Sequence, residues 1–184
     1  AQQVALDSAG RDASYVNTIV SRSTKIVDAL QLSDKAPYAN VLNIVCLRYF
    51  KINDIDAKFK EQQARDQELY KHHFEFTATL SLYLNDSQVE AVKDGMTYGV
   101  VPKTYQAHLE MIPSLKDEEK TQILAWLKEA REFAMDAENS NKKHGWFGKY
   151  KGRINNWLTA RGYNLKAERE AWYKRIEQQK KTEK

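Results

Sequence analysis

Residues 144–160 read His144-Gly-Trp-Phe-Gly-Lys-Tyr-Lys-Gly-Arg-Ile-Asn-Asn-Trp-Leu-Thr-Ala160, and they predict the fold class more directly than any other part of the chain. Several large apolar side chains recur there at steps of three and four residues, which is the spacing of one face of an α-helix. The residues on this predicted core face are Phe147, Tyr150, Ile154, Trp157 and Leu158. The stretch therefore predicts a helix that packs an aromatic-rich face against the rest of the protein.

The remaining positions of this helix fall on two further faces. One face combines aromatic, cationic and amide groups, namely Trp146, Lys149, Arg153 and Asn156. The other is a stripe of small residues, namely Gly145, Gly148, Gly152 and Asn155. Each glycine inside a helix is destabilising by about 1 kcal/mol relative to alanine, so close packing by another helix is the favoured explanation for the stripe. Approach of a ligand to the backbone is the alternative.

The rest of the chain also predicts helices. It has three prolines and seven glycines in 184 residues, and it lacks the sustained apolar–polar alternation that marks strands. Asn85 and Gln88 fit a capping box at a helix start, and Arg161-Gly162-Tyr163 fits a helix end. The predicted helices cover about residues 7–30, 35–60, 63–83, 85–95, 104–111, 117–138, 144–160 and from 164 onward.

One irregular segment interrupts this pattern. Gly95 can close the preceding helix in the left-handed conformation, and Pro102 disfavours helical backbone at Val101. Loops held by a rigid scaffold often carry function, which makes Tyr98 a candidate site residue. These patterns together predict an all-α fold, an irregular multi-helix bundle with one extended loop around residues 94–103.

Length and composition predict one helical domain over residues 1–176, followed by a frayed basic tail over residues 177–184. Cys46 lies in an apolar run, which predicts a buried thiol, and a single cysteine excludes an intrachain disulfide. No apolar run is long enough to span a membrane. The chain begins with Ala1 rather than methionine, so we expect a signal peptide to be removed before Ala1 and the protein to be periplasmic, cell-surface or secreted.

The formal charge of +4 is unevenly distributed. Residues 142–184 carry thirteen basic and four acidic side chains, whereas residues 1–141 carry sixteen basic and twenty-one acidic ones. A basic end on an acidic body predicts an anionic partner, or attraction between the two parts of the chain. The acidic body and the lack of a recognised nucleic-acid-binding module argue against a nucleic-acid partner.

The sequence has none of the common catalytic or nucleotide-binding motifs, such as GxSxG, HExxH or a Walker loop. His72 and His73 lie at helical spacing from Glu68 and Glu75, but a solvated helix face explains this pattern better than a metal site. We therefore predict neither a metal nor a cofactor, and no motif supports an enzyme.

Four strings are long and unusual enough to compare with known families: Val92–Pro102, Met111–Leu115, Glu129–Glu138 and Lys143–Leu158. They resemble a bacterial family, domain of unknown function family 3826. The resemblance extends from the first helix to about Trp172. It implies an exported sugar-binding protein of polysaccharide-degrading bacteria, with a carbohydrate as partner.

The chemistry of the candidate residues agrees with this implied ligand. Sugar C–H faces stack on aromatic rings, and sugar hydroxyls or carboxylates pair with amide and cationic side chains. We predict a non-catalytic carbohydrate-binding protein of the bacterial envelope, with acidic plant or host polysaccharides as ligands. A periplasmic chaperone-like interaction protein and a glycan hydrolase or lyase are the alternatives, and no oligomeric state is predicted. The predicted ligand-binding residues are Trp146, Lys149, Arg153, Asn156, Tyr98, Arg131, Asp136 and His144.

Overall fold

The computed structural model describes residues 3–183, and all regular structure within that range is helical. The predicted all-α, multi-helix fold is thereby confirmed. The helices are α1 (Ala13–Asp28), α2 (Lys35–Lys58), α3 (Gln62–Leu80), α4 (Asp86–Met96), α5 (Val100–Met111), α6 (Asp117–Met135), α7 (Ser140–Ala160) and α8 (Leu165–Thr182). Across residues 3–183, no helix combines the length and the apolar character that crossing a membrane requires.

Two predicted capping signals are confirmed. Asn85 Oδ1 accepts a hydrogen bond from the backbone N–H of Gln88 at 2.9 Å, and Gln88 Oε1 accepts one from the N–H of Asn85 at 3.0 Å. This reciprocal pair is a capping box at the start of α4. At the end of α7, Gly162 has a φ of +100°, and the N–H of Tyr163 donates to the carbonyl of Leu158 at 3.1 Å. That pattern is a Schellman motif, which satisfies carbonyls that the helix end would otherwise leave open.

The predicted extended loop around residues 94–103 is wrong. α4 continues to Met96 and α5 begins at Val100, so the irregular segment is only Thr97–Gly99. Pro102 is compatible with this early start, because the N–H groups of the first helical turn have no partner within the helix.

The described residues form two compact units. Unit 1 comprises residues 3–96 and 136–138 and contains α1 to α4. Unit 2 comprises residues 97–135 and 139–183 and contains α5 to α8. The prediction of one domain over residues 1–176 stays a prediction.

The predicted tail over residues 177–184 is helical for most of its length, because α8 continues to Thr182. Lys184 lies outside the described residues. So do Ala1 and Gln2, together with the predicted cleavage point before Ala1. The division between domain and tail therefore stays a prediction.

Helix α2 supplies more of the buried apolar side chains of unit 1 than any other helix does. Val41, Val45 and Cys46 of this helix are completely buried. Burial raises the pKa of the Cys46 thiol, so the group is protonated at neutral pH. The predicted buried thiol is thus confirmed.

Unit 2 positions the candidate site. α6 and α7 make its most extensive helix–helix contact. The buried core of this unit consists of Val101, Met111, Ile112, Leu115, Ile123, Leu127, Ala130, Ala134, Phe147, Tyr150, Ile154 and Leu158. Since α7 buries one face in this core, its opposite face is turned outward.

Candidate ligand-binding face of α7

The predicted core face of α7 is confirmed, with one refinement. Phe147, Tyr150, Ile154 and Leu158 are buried. The fifth predicted residue, Trp157, is half-buried and packs edge-to-face on Trp126 of α6, with ring centroids 5.3 Å apart. Most aromatic side chains of the helix are therefore structural, and the ligand-binding candidates lie beside this face or opposite it.

The glycine stripe of α7 faces open space. A Cβ atom added at Gly145, Gly148 or Gly152 would have no heavy atom within 4 Å, apart from the adjoining residues and the backbone of α7 itself. The expectation that another helix packs against the stripe is therefore wrong. The reason is that α7 contacts α6 and the core through its aromatic face, which leaves the glycine side uncovered. A ligand can approach the backbone closely there, because no side chain projects from these positions.

One edge of this open face carries a stacked aromatic pair. Trp146 lies nearly parallel to Phe133 of α6, with ring centroids 4.5 Å apart and 15° between the ring planes. Phe133 is 46% exposed, so part of its apolar ring is open to solvent. Lys149 Nζ lies 5.3 Å from the Trp146 ring centroid, within the range of a cation–π contact. The edge thus presents a wide apolar surface with a positive charge beside it.

Arg153 extends this edge along α7. Its guanidinium carbon lies 4.4 Å from the ring centroid of Tyr150, and its Nη1 lies 3.7 Å from Glu129 Oε2. Burial raises the pKa of Tyr150, and a hydrogen bond to Glu129 raises that pKa further. These contacts hold Arg153 in place while 42% of its side chain stays exposed. The guanidinium can therefore still donate to a carboxylate or sulfate on a ligand.

A second aromatic pair lies on another edge of α7. Tyr98 stacks on His144 with ring centroids 5.1 Å apart and 14° between the planes, and Lys143 Nζ lies 5.9 Å from the Tyr98 centroid. Tyr98 has a φ of +60° and Gly99 one of +64°. A left-handed backbone is strained for tyrosine, by about 1–3 kcal/mol, and such strain is concentrated at functional positions. The ring is nevertheless 47% exposed, so this geometry presents it to solvent instead of burying it.

Asn156 is exposed to solvent, whereas Arg131 is buried. Asn156 is exposed on the open side of α7, where its amide can bind a ligand. Arg131 lies on α6 and is only 1% exposed. The open face therefore includes Asn156 and not the guanidinium of Arg131.

Asp136 belongs to unit 1, where it takes part in a buried ionic network. Its carboxylate accepts a short hydrogen bond from Arg48 Nη2 and is 2.7 Å from His73 Nδ1. The Arg48 side chain is 4% exposed and also donates through Nη1 to the carbonyl of His72 at 2.7 Å. A buried carboxylate with these partners neutralises a buried guanidinium, which is a structural role.

His72 is engaged by side chains of its own unit. Its Nδ1 is 2.8 Å from Glu75 Oε1, its Nε2 is 3.3 Å from Glu68 Oε1, and Lys51 Nζ lies 3.3 Å from Nδ1. Across the part of the chain that the structure describes, no group of three His, Cys, Asp or Glu side chains is arranged to hold a metal ion. The histidine and glutamate spacing of α3 therefore reflects a network of ion pairs and hydrogen bonds.

Sequence reasoning missed the α6 half of the candidate face. Phe133, Glu129 and Trp126 all contact predicted residues of α7. Their spacing contained a usable signal, because positions 126, 129 and 133 are three and four residues apart and fall on one face of α6. The sequence does not show that this face of α6 packs against the Trp146 side of α7.

A family model described as a protein of unknown function, DUF3826, matches the sequence over residues 16–64 and 56–178. The chain belongs to the DUF3826 family. The resemblance inferred from the sequence strings is thereby confirmed, and the DUF3826 match includes every predicted site residue from Tyr98 to Asn156. No curated protein matches the chain.

Proposed function

We propose that this DUF3826 protein is a non-catalytic carbohydrate-binding protein of the bacterial envelope, and that its ligands are acidic polysaccharides of plant or host origin. The observation that carries the proposal is the stacked pair of exposed Phe133 and half-buried Trp146, with Lys149 beside it. A partly exposed aromatic pair in a fixed orientation suits the C–H face of a sugar ring, since ring stacking combines area burial with a defined geometry.

The surrounding groups supply the polar half of the site. Lys149 and Arg153 pair with the carboxylate or sulfate of an acidic sugar, and Arg153 offers the planar donor geometry that such groups match best. Asn156 donates to and accepts from sugar hydroxyls. The open glycine side of α7 lets a sugar approach the helix backbone without a steric barrier.

The ionic character of the edge favours an acidic ligand over a neutral one. Exposed Lys149 and Arg153 lie on this side of α7, and Glu129 Oε2 lies 3.7 Å from Arg153 Nη1. The net positive charge attracts polyanions, and its contribution to the binding free energy decreases as salt screens it. A polymeric ligand of this kind is encountered outside the cytoplasm, which agrees with a place in the cell envelope.

Isothermal titration calorimetry with galacturonic acid oligosaccharides tests the proposal. We expect binding that weakens about tenfold in the Trp146→Ala variant, the effect of losing one stacking contact of about 1.4 kcal/mol. Lys149→Met should weaken binding at low salt and have less effect at high salt. Tyr173→Ala is the matched control, since it removes another exposed aromatic ring from unit 2, on α8.

The outcomes separate the alternatives. Binding that is lost equally in the Tyr173→Ala control, or is absent for every acidic oligosaccharide of plant and host origin, contradicts the proposal. The appearance of new reducing ends or unsaturated products during incubation would instead indicate a hydrolase or a lyase. Fractionation of cells followed by immunoblotting tests the envelope location, and a purely cytoplasmic signal contradicts it.

A further inference from the structure

The outer face of α3 carries two large aromatic rings that the described structure leaves uncovered. Tyr70 is 70% exposed and Phe74 is 66% exposed. The rings lie one helical turn apart, with centroids 6.1 Å apart and 84° between their planes. Exposed aromatic side chains that are adjacent on a surface mark a place where a partner binds. This face lies within unit 1 and shares no residue with the candidate face of α7.

Toward the start of α3, the neighbours of Tyr70 are mostly polar side chains, several of them amides. Every exposed residue between Gln62 and Phe74 is an amide, a charged residue or an aromatic one. Several of them line a shallow surface depression, with Tyr70 as its aromatic wall: Gln62, Gln63, Asp66, Gln67, Tyr70 and Lys71. An aromatic wall beside several hydrogen-bonding amides is a suitable environment for a polyhydroxylated ligand.

The lining of this depression carries no net positive charge, because it contains one carboxylate and one ammonium group. Asp66 accepts a hydrogen bond from Gln62 Nε2 at 2.7 Å, and Lys71 Nζ is 3.1 Å from Glu68 Oε2. The one carboxylate and the one ammonium group of the lining are thus both engaged locally. The surface complements a neutral ligand and gives little electrostatic attraction to a polyanion, in contrast to the basic edge of α7.

We infer that the depression at the start of α3, with Tyr70 and Phe74, is a second glycan-binding site that takes neutral oligosaccharides. The inference rests on the proposed carbohydrate binding for its ligand class but not for its residues. A sugar ring stacks on Tyr70 or Phe74, and its hydroxyls pair with the amides of Gln63 and Gln67. The two sites then differ in ligand preference, because the α3 site takes neutral sugars and the face of α7 takes acidic ones.

Calorimetry with neutral hexasaccharides of glucose and of mannose tests this site. We expect wild-type protein to bind at least one of them, and the double variant Tyr70→Ala/Phe74→Ala to bind it about tenfold more weakly or not at all. The Trp146→Ala variant should bind the neutral ligand as the wild type does, and Tyr173→Ala is again the control. Both α3 side chains are mostly exposed, so the double variant should keep its unfolding midpoint.

The outcomes distinguish failure of the α3 site from failure of the α7 site. Binding of acidic oligosaccharides with no binding of any neutral one overturns the α3 site and leaves the α7 site standing. Neutral binding that depends on Tyr70 and Phe74, without any acidic binding, supports the α3 site and overturns the α7 site. If sedimentation shows a wild-type dimer that becomes a monomer in the double variant, the α3 face is a self-association surface and the inference is wrong.

Discussion

Replacing Gly145, Gly148 and Gly152 together with alanine is expected to stabilise the protein. All three lie inside α7, and an added Cβ at each would meet nothing within 4 Å beyond the helix itself. Alanine is favoured over glycine by about 1 kcal/mol at each interior helical position, so the triple variant should gain about 3 kcal/mol in the free energy of unfolding. The gain arises because no neighbour opposes the added methyl groups.

Urea unfolding followed by tryptophan fluorescence measures the free energy of unfolding of unit 2, which contains α7. The four tryptophans of the chain, Trp126, Trp146, Trp157 and Trp172, all lie in unit 2 with α7. We expect a higher unfolding midpoint with an unchanged dependence on urea, which indicates a change in stability and not in the surface exposed on unfolding.

The matched control is Gly95→Ala in α4. A Cβ there would lie 2.9 Å from Cγ2 of Ile26, so the same gain in helix propensity is offset by a steric clash. Its unfolding is followed by circular dichroism, because Gly95 lies in unit 1. The reasoning is refuted if the α7 triple variant is no more stable than the wild type, or if Gly95→Ala gains as much per residue as the triple variant does.

Two further predictions concern buried carboxylates. Burial alone would raise the pKa of Glu119, but hydrogen bonds from Tyr163 and Arg161 lower it to about 2, below the value of about 4.3 for an unfolded glutamate. Ionised Glu119 therefore stabilises the fold above about pH 4.3 and loses this contribution as the pH falls toward about 2. Glu119→Gln should lower the urea midpoint at neutral pH and reduce its loss on acidification to about pH 3, and an unchanged acid sensitivity would contradict this linkage. Asp136→Ala should destabilise unit 1 by about 3–5 kcal/mol, because it leaves the charge of Arg48 buried without its carboxylate. Circular dichroism in urea checks it, and a loss well under 1 kcal/mol would indicate that Arg48 reaches solvent.

Local patterns were enough to predict the helices but not all of their ends. The spacing of Phe147, Ile154 and Leu158 identified the buried face of α7 because a regular helix fixes which residues share a side. α1 begins at Ala13 and not near residue 7, because the Asp12 side chain accepts the N–H of Tyr15 at 2.9 Å and caps the helix there. The sequence contains helix-favouring residues before Asp12 as well. The pattern alone did not show that Asp12 would be the residue that caps the helix.

The candidate site was predicted only in part, because its pieces come from different helices. A helical wheel placed Trp146 and Lys149 together, but it could not show that Phe133 of α6 would stack on Trp146. Nor could it show whether a neighbour covers the side of Gly148. Asp136 is a predicted ligand-binding residue, and only the fold reveals that Arg48 binds it. Contacts between different helices decide each of these points.

The bare glycine side of α7 also makes its helix dependent on its surroundings. A peptide corresponding to Ser140–Ala160 would carry three glycines, and isolated helices of this length are marginal in water even for sequences that favour helix. Such a peptide should therefore be mostly random coil, with its aromatic and cationic groups in no fixed arrangement. The candidate face is thus a property of the folded four-helix unit and cannot be transplanted as a linear epitope.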